Sequence, residues 1–235
     1  MEILHLEDEM LQILDAFDIS YWMMVRSHNL KGPYDISLIE GSVSTPREIR
    51  EIKKIRAKTK MLVALGDCAV TGCIPSIKNW FPQRELEKKV YLDTSVIFST
   101  KIYGIDEYVP VDVYLKGCPP HRNMILELLK GYLLGIRPFL RPHCVCVECK
   151  LRENSCLITI KNRPCMGPVT NAGCDALCPT VNRDCEGCYG PMSSPNASAL
   201  AETFRKIGLP EDDIVRKFRK YAGTTPDFRK EAEGE

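Results

Sequence analysis

The sequence predicts a doubly wound α/β sheet followed by a cysteine-rich, loop-dominated segment held together by metal, with helices at its end. Three observations carry this. Strand-length apolar runs alternate with amphipathic helical runs through the first 140 residues, the pattern of a parallel sheet covered by helices. Two of those runs end beside glycine and cysteine, at Gly66-Asp67-Cys68 and Gly117-Cys118, where open sheets of this kind bind ligands. Eight of the twelve cysteines then fall within the 43 residues from Cys146 to Cys188. The 235-residue chain is therefore expected to divide into a sheet domain, 1–140, and a metal-binding domain with terminal helices, 141–235.

Each element has its own signal. Leu4, Leu6, Met10, Leu11, Ile13, Leu14 and Phe17 recur at helical spacing, so an amphipathic helix begins almost at Met1. Ile19–Val25 reads as a buried strand and Asp35–Glu40 as a second. Thr45-Pro46-Arg47-Glu48 starts a helix: Thr45 caps it, Pro46 takes the first helical position and Glu48 completes the box. That helix turns Ile49, Ile52 and Ile55 inward and a basic face to solvent. Met61–Leu65 is a fully buried strand, and Val109–Leu115 is another, followed by a helix over Met124–Leu134. Residues 75–105 have weak periodicity and are expected to wander over the surface. Pro138 and Pro142 mark the boundary between the two parts. Residues 197–207 and 211–221 form two helices, and the polar tail from Thr224 is expected to be mobile.

The eight clustered cysteines form two quartets. The first is Cys146-x2-Cys149-x6-Cys156-x8-Cys165, and the second Cys174-x3-Cys178-x6-Cys185-x2-Cys188. Pro and Gly punctuate the segment and long apolar side chains are few, so metal–thiolate bonds must supply what a core cannot. Four thiolates suit zinc or a [4Fe–4S] cube. One close pair plus two widely spaced sulfurs per quartet favours the larger object, with zinc second. Disulfides come last, because no secretory h-region precedes them. Cys68 and Cys118, on adjacent strand-end loops, can converge on a third site. Cys73 and Cys144 have no partner by spacing and read as free thiols. His143, three residues before Cys146, reads as a hydrogen-bond partner of a ligand rather than a ligand.

Composition excludes several classes. Hydrophobic residues at 44% and charged ones at 27% describe an ordinary globular protein. A net charge of +1 makes no case for nucleic acid or an anionic membrane surface. No apolar run approaches the about 18 residues of a membrane span. Cysteine-rich and without a signal peptide, the chain is expected in the reducing cytoplasm.

Glu40-Gly41-Ser42-Val43, Gly66-Asp67-Cys68-Ala69, Gly117-Cys118-Pro119-Pro120, Cys165-Met166-Gly167-Pro168-Val169-Thr170, Gly173-Cys174 and Cys185-Glu186-Gly187-Cys188 occur in one order over residues 35–190. In this the chain resembles the small, electron-transferring subunit of cytoplasmic [NiFe]-hydrogenases, of the sulfhydrogenase delta or methyl viologen-reducing gamma type. The resemblance implies a flavodoxin-like first domain holding a proximal [4Fe–4S] cluster, with Cys68 and Cys118 as the matching ligands. It implies a distal cluster on Cys146, Cys149, Cys156 and Cys165, and a medial one on Cys174, Cys178, Cys185 and Cys188. Periplasmic relatives use three cysteines in the medial set and a His in the distal one; here Cys178 completes a medial cube and Cys146 stands in for the His. The implied partners are a large subunit bearing the nickel–iron centre and an acceptor subunit carrying flavin or iron–sulfur. Lys161, Arg163 and Arg183, close to ligands, are candidates for raising reduction potentials. No catalytic residue is expected, since paired Cys-x2-Cys nickel motifs at both termini are absent.

The sequence departs from that family at its start. The family opens on a strand and a Cys-x2-Cys-like pair that ligate the proximal cluster, whereas no cysteine here precedes Cys68. The expectation is an incomplete amino terminus that lacks the first strand, so the proximal cluster forms only if further ligands are supplied; Cys73 could become a third ligand, although its spacing does not demand it. Two other functions stand beside the relay: a structural zinc scaffold that docks partners, and the iron–sulfur subunit of an oxidoreductase complex without nickel.

Overall fold

The computed structural model describes residues 3, 6 and 8–234. The first helix is α1, Asp8–Ala16; Leu6 and Ile13 are buried, while Leu4 of the expected apolar stripe lies outside the described residues. Three strands, β1 (Tyr34–Glu40), β2 (Thr59–Leu65) and β3 (Val113–Leu115), make one parallel sheet in the order β1-β2-β3. Leu38 pairs with Val63, and Val63 with Val113.

The sheet is wound on both faces. Side chains alternate along a strand, so Val63 and Leu65 enter one core with Leu6 and Ile13 and with Met124, Ile125 and Leu128 of the long helix Arg122–Leu134. Leu62 and Ala64 enter the opposite core, with Val43, Ile105 and Ile52 of α2 (Pro46–Arg56). Covered on both sides, β2 reads in sequence as an unbroken apolar run instead of an alternating one. The start of α2 is as its sequence predicts. Glu48 N–H donates to Thr45 Oγ1 at 3.3 Å, and the Glu48 carboxylate accepts the Thr45 N–H at 2.9 Å.

Four expectations are corrected. Ile19–Val25 is not a strand: Trp22–Val25 turns, and Met23 and Met24 are exposed. Among the described residues no strand pairs with the outer edge of β1, so this apolar run has no ladder to join. The strand expected over Val109–Leu115 shortens to β3, because Pro110 offers no N–H and the Val109 N–H is taken by Ile105 O at the end of the 3₁₀ turn Ile105–Glu107. Residues 75–105 carry more regular structure than expected, a 3₁₀ stretch over Ile74–Trp80 and an α-helix over Gln83–Val90. That helix buries none of its side chains, which is why its periodicity is weak.

The fourth correction concerns the carboxyl terminus. The two expected helices form, over Ala197–Lys206 and Glu211–Ala222, but Pro226–Glu233 is a third helix in place of a mobile tail. Phe228 is 1% exposed and meets Phe218 edge-on at 5.3 Å. Together with Phe204, Ile214 and Leu200 these rings form a third core, onto which Val145, Leu157, Met166 and Val169 of the cysteine-rich segment pack. Replacing Phe228 with Ala is expected to lower unfolding free energy by about 3–5 kcal/mol, read from denaturant midpoints. A midpoint unchanged from wild type would show that this helix supports nothing.

Candidate metal centre

Three thiols meet at the carboxyl ends of the strands. Gly66 N–H donates to Leu115 O and Asp67 N–H to Gly117 O, both at 2.8 Å, stitching the loop after β2 to the loop after β3. Those bonds set Cys68, on the short helix Asp67–Thr71, beside Cys118. Cys73 completes the group. It is fully buried and hydrogen-bonds to both thiols; through it the Cys68 thiol is held below its usual value and that of Cys118 is lowered to about 7. Cys73 itself is pushed far up by the same two bonds and by burial. Spacing alone had left Cys73 a free thiol; its closeness to Cys68 arises from the turn at Gly72, φ +82.

Asp67 also escaped the sequence reading. It is fully buried, its Oδ2 accepts from Thr71 Oγ1 at 3.0 Å, and Oδ1 has no partner among the described residues. Burial drives its carboxyl up to about 7, opposed by that hydrogen bond and by Lys116. Gly190 comes so close that a Cβ there would stand 3.1 Å from Oδ1.

Within the clustered cysteines, Cys146, Cys149 and Cys165 influence one another, as do Cys174, Cys178 and Cys188, while Cys156 shows no influence from another thiol. Cys146 and Cys149 project from the helix Val145–Leu151, and Cys165 faces both. Gly167 sits between two of these thiols: a Cβ would lie 3.4 Å from Cys146 Sγ and 3.5 Å from Cys165 Sγ. Cys156, exposed just before the helix Leu157–Lys161, is acted on chiefly by partial burial, by hydrogen bonds from Thr159 and Ile158, and by Lys150. In the second quartet Cys174, Cys178 and Cys188 sense one another. Cys185 is the link between quartets: its N–H donates to Cys165 Sγ at 3.3 Å, and its thiol is influenced by both Cys165 and Cys188. Cys188 in turn senses Cys118. The Cys185 N–H bond to Cys165 Sγ is thus the direct contact between the two quartets. Cys144, left unpartnered by spacing, raises the Cys146 thiol after burial has done so.

The donor set fits a positively charged inorganic group. Burial pushes Cys146 and Cys188 up to about 12 and Cys185 well above its usual value, so the bare protein keeps these thiols neutral. A metal's own charge is what allows such sulfurs to ionise. Among the described residues, no group of three or more His, Cys, Asp or Glu side chains is arranged to hold a metal ion.

Glu148 ties the quartets together. It lies between Cys146 and Cys149, is 5% exposed, and accepts the Gly173 N–H at 2.9 Å and the Ala176 N–H at 3.2 Å. Arg141 bridges Glu148 at 2.6 Å and Asp175 at 2.7 Å. Asp175 and Ala176 both have positive φ, 53° and 52°, so the loop bearing Cys174 is strained and these bonds hold it. The cations near the first quartet are engaged: Arg163 pairs with Asp184 at 3.0 Å, and Lys161 donates to Asn182 at 2.5 Å. His143 Nδ1 lies 3.3 Å from Cys144 O, a main-chain contact.

Tyr189 joins the two halves. It is 3% exposed, and a Cβ on Gly117 or Gly173 would come within 2.7 and 2.9 Å of its ring. Lys116 donates to Pro191 O, Thr71 Oγ1 to Tyr221 O, and Trp80 lies 4.6 Å beneath the Arg219 guanidinium.

A parallel sheet with thiols at its strand ends, capped by a cysteine-rich segment and helices, is the small-subunit fold of [NiFe]-hydrogenases. The NAD+-reducing [NiFe]-hydrogenase in its H2-reduced state superposes with a TM-score of 0.54 at 26% identity, over 59% of this chain and 85% of that one. The [NiFeSe]-hydrogenase of Desulfomicrobium baculatum, at 16% identity, shares the fold with a TM-score of 0.51 over 81% of this chain and 89% of its own. Residues 1–132 match the family described as NADH ubiquinone oxidoreductase, 20 Kd subunit, and the chain belongs to that family. The delta subunit of sulfhydrogenase 2 from Pyrococcus furiosus is 34% identical over 94% of this chain and 93% of its own length. A subunit of the F420-non-reducing hydrogenase vhu from Methanocaldococcus jannaschii is 32% identical over 97% of this chain and 90% of its own length. Among the described residues no helix is long and apolar enough to cross a membrane.

Proposed function

We propose that this chain is the electron-transferring small subunit of a [NiFe]-hydrogenase. It would relay single electrons between a nickel–iron large subunit and an acceptor subunit carrying flavin or iron–sulfur. The observation that carries the reading is the Cys185 N–H hydrogen bond to Cys165 Sγ at 3.3 Å, which brings the two cysteine quartets together in a chain that also carries Cys68 and Cys118 at its strand ends. Relatives named as hydrogenase subunits match nearly the whole chain, cysteine-rich segment included, which favours this reading over an oxidoreductase subunit without nickel.

In this reading the chain comprises a sheet domain to about residue 140 and a two-cluster domain after it. Cys68 and Cys118 hold a proximal cluster; Cys174, Cys178, Cys185 and Cys188 a medial [4Fe–4S] cube; Cys146, Cys149, Cys156 and Cys165 a distal one. The clusters supply one-electron redox chemistry when bound. The chain's own residues do the rest. Gly167 lets two thiols approach, the Cys185 N–H stabilises the charge on Cys165 sulfur, and Tyr189 keeps water from the passage between proximal and medial sites. Nothing on this chain activates hydrogen. Leu151, Ile160, Leu177 and Val181, each more than half exposed beside Cys156 and Cys178, suit a face covered by another subunit. Twelve free thiols suit the reducing cytoplasm.

Anaerobic purification tests this. The protein is expected to be brown, with iron and acid-labile sulfide in equal amounts and nickel in the stable complex. A colourless protein with zinc would establish the scaffold instead, and a brown complex without nickel would place the chain in an oxidoreductase of another kind.

A further inference from the structure

We propose that the face around Cys156 docks the acceptor subunit, and that the acceptor meets it with acidic side chains arranged around an apolar centre. This rests on the reading that the first quartet is the exit of an electron relay, and adds the chemistry of the surface that must fit there.

Three short segments build one face. Asn154 Nδ2 donates to Thr180 Oγ1 at 3.0 Å, Lys161 Nζ to Asn182 Oδ1 at 2.5 Å, and the Arg163 guanidinium to Asn182 O at 2.8 Å. These bonds draw together the end of the helix Val145–Leu151, the helix Leu157–Lys161 and the turn after the helix Leu177–Thr180. On them Leu151 is 80% exposed, and Ile160, Leu177 and Val181 are each more than 60% exposed. A single exposed aliphatic side chain is ordinary; four on segments tied together beside an exposed thiol mark a surface that another molecule covers.

The charge around them says what that molecule presents. Residues 150–183 hold five cations, Lys150, Arg152, Lys161, Arg163 and Arg183, against two acids, Glu153 and Asp175, although the whole chain is nearly balanced at 32 to 31. Asp175 is held by Arg141 at 2.7 Å, and the charge of Arg163 is met by Asp184 at 3.0 Å. Lys150, Lys161 and Arg183 are exposed and make no ion pair among the described residues; the Asn182 that receives Lys161 is neutral. An apolar centre with a basic rim is complementary to an acidic rim. A second copy of this chain would set cations against cations across a two-fold contact. A membrane surface is best met by the wide apolar face of one amphipathic helix, whereas these side chains come from helices of seven, five and four residues. In the docked complex the apolar centre excludes water beside Cys156, and the rim sets orientation and association rate.

The test uses the complete complex, purified without oxygen through a tag on the large subunit. Wild type is compared with a double variant, Lys150→Glu with Arg183→Glu, and with a second double variant, Leu151→Ser with Leu177→Ser. The bound complexes are washed with rising salt, and the acceptor subunit released is measured at each step. The charge-reversed variant is expected to release the acceptor at lower salt than wild type, because exposed charge pairs are screened by ions. The serine variant is expected to lose it even at low salt. In the wild-type complex a carbodiimide, which joins amines to carboxylates in contact, is expected to link Lys150 or Lys161 to Asp or Glu of the acceptor. Should the charge-reversed variant lose iron, those links decide alone. Acceptor release at wild-type salt in both variants would overturn the proposal, as would links from these lysines only to the large subunit or to a second copy. So would phosphatidylglycerol vesicles that sediment with wild type but not with the charge-reversed variant while acceptor release is unchanged. A complex without nickel would end the hydrogenase reading, whereas nickel retained with unaltered acceptor release would end this proposal alone.

Discussion

Replacing Cys165 or Cys174 with Ser should abolish reduction of the physiological acceptor while hydrogen–deuterium exchange at the large subunit continues. Cys165 joins Cys146 and Cys149 and receives the Cys185 N–H at 3.3 Å; Cys174 joins Cys178 and Cys188. Each substitution removes one of the sulfurs assigned to a cluster. Loss of a group that merely supports a ligand typically costs about 10–100-fold in metal affinity or activity, so loss of the ligand should lower acceptor reduction by more than about tenfold. Exchange requires no electron to leave the large subunit and should persist. Acceptor reduction at the wild-type rate in either variant would end the relay assignment. Loss of both activities together would mean that the small subunit is needed for assembly before it is needed for transfer.

Glu148→Ala should destabilise the cysteine-rich segment by about 3 kcal/mol, the low end for breaking a buried ion pair. The low end applies because Arg141 is 31% exposed and keeps Asp175 as a partner. The cost arises at the other end of the carboxylate. Without it the Gly173 and Ala176 N–H groups are buried and unpaired, and the strained turn at Asp175 and Ala176 loses what holds it. Glu148→Gln keeps one acceptor oxygen and should cost less. Equal denaturation midpoints for Glu148→Ala and wild type, measured anaerobically, would show that the turn is held by metal alone. A drop in midpoint accompanied by loss of iron in Glu148→Ala, with smaller losses in Glu148→Gln, is the expected pattern.

Much of this architecture was legible because its signals are local. The box at Thr45 and Glu48 formed as written, since its atoms lie within one turn of helix. The run Met61–Leu65 announced a strand buried on both sides, and the thiol quartets were visible as spacing. The failures share a cause. Tyr21–Val25 has strand composition, yet a strand requires a partner, and no feature of the segment reports whether one is present. The tail from Thr224 is polar on average, but Phe228 and Ala232 fall on one helical face and meet a core supplied by residues far along the chain. Cys185 belongs by spacing to the second quartet, whereas folding also brings it against Cys165.

Local chemistry in the sequence was enough to determine the sheet's winding, the helix starts and which cysteines are candidates for metal. Each depends on neighbours a few positions apart. Only the tertiary structure decided which thiols face one another, that Cys73 joins Cys68 and Cys118, and that Asp67 and Glu148 are buried beside them. Those facts depend on loops brought together by long-range hydrogen bonds, such as Asp67 N–H to Gly117 O, and on glycines that allow close approach. Spacing along a chain records what residues can do; which of them do it together is set by packing between segments that share no sequence pattern.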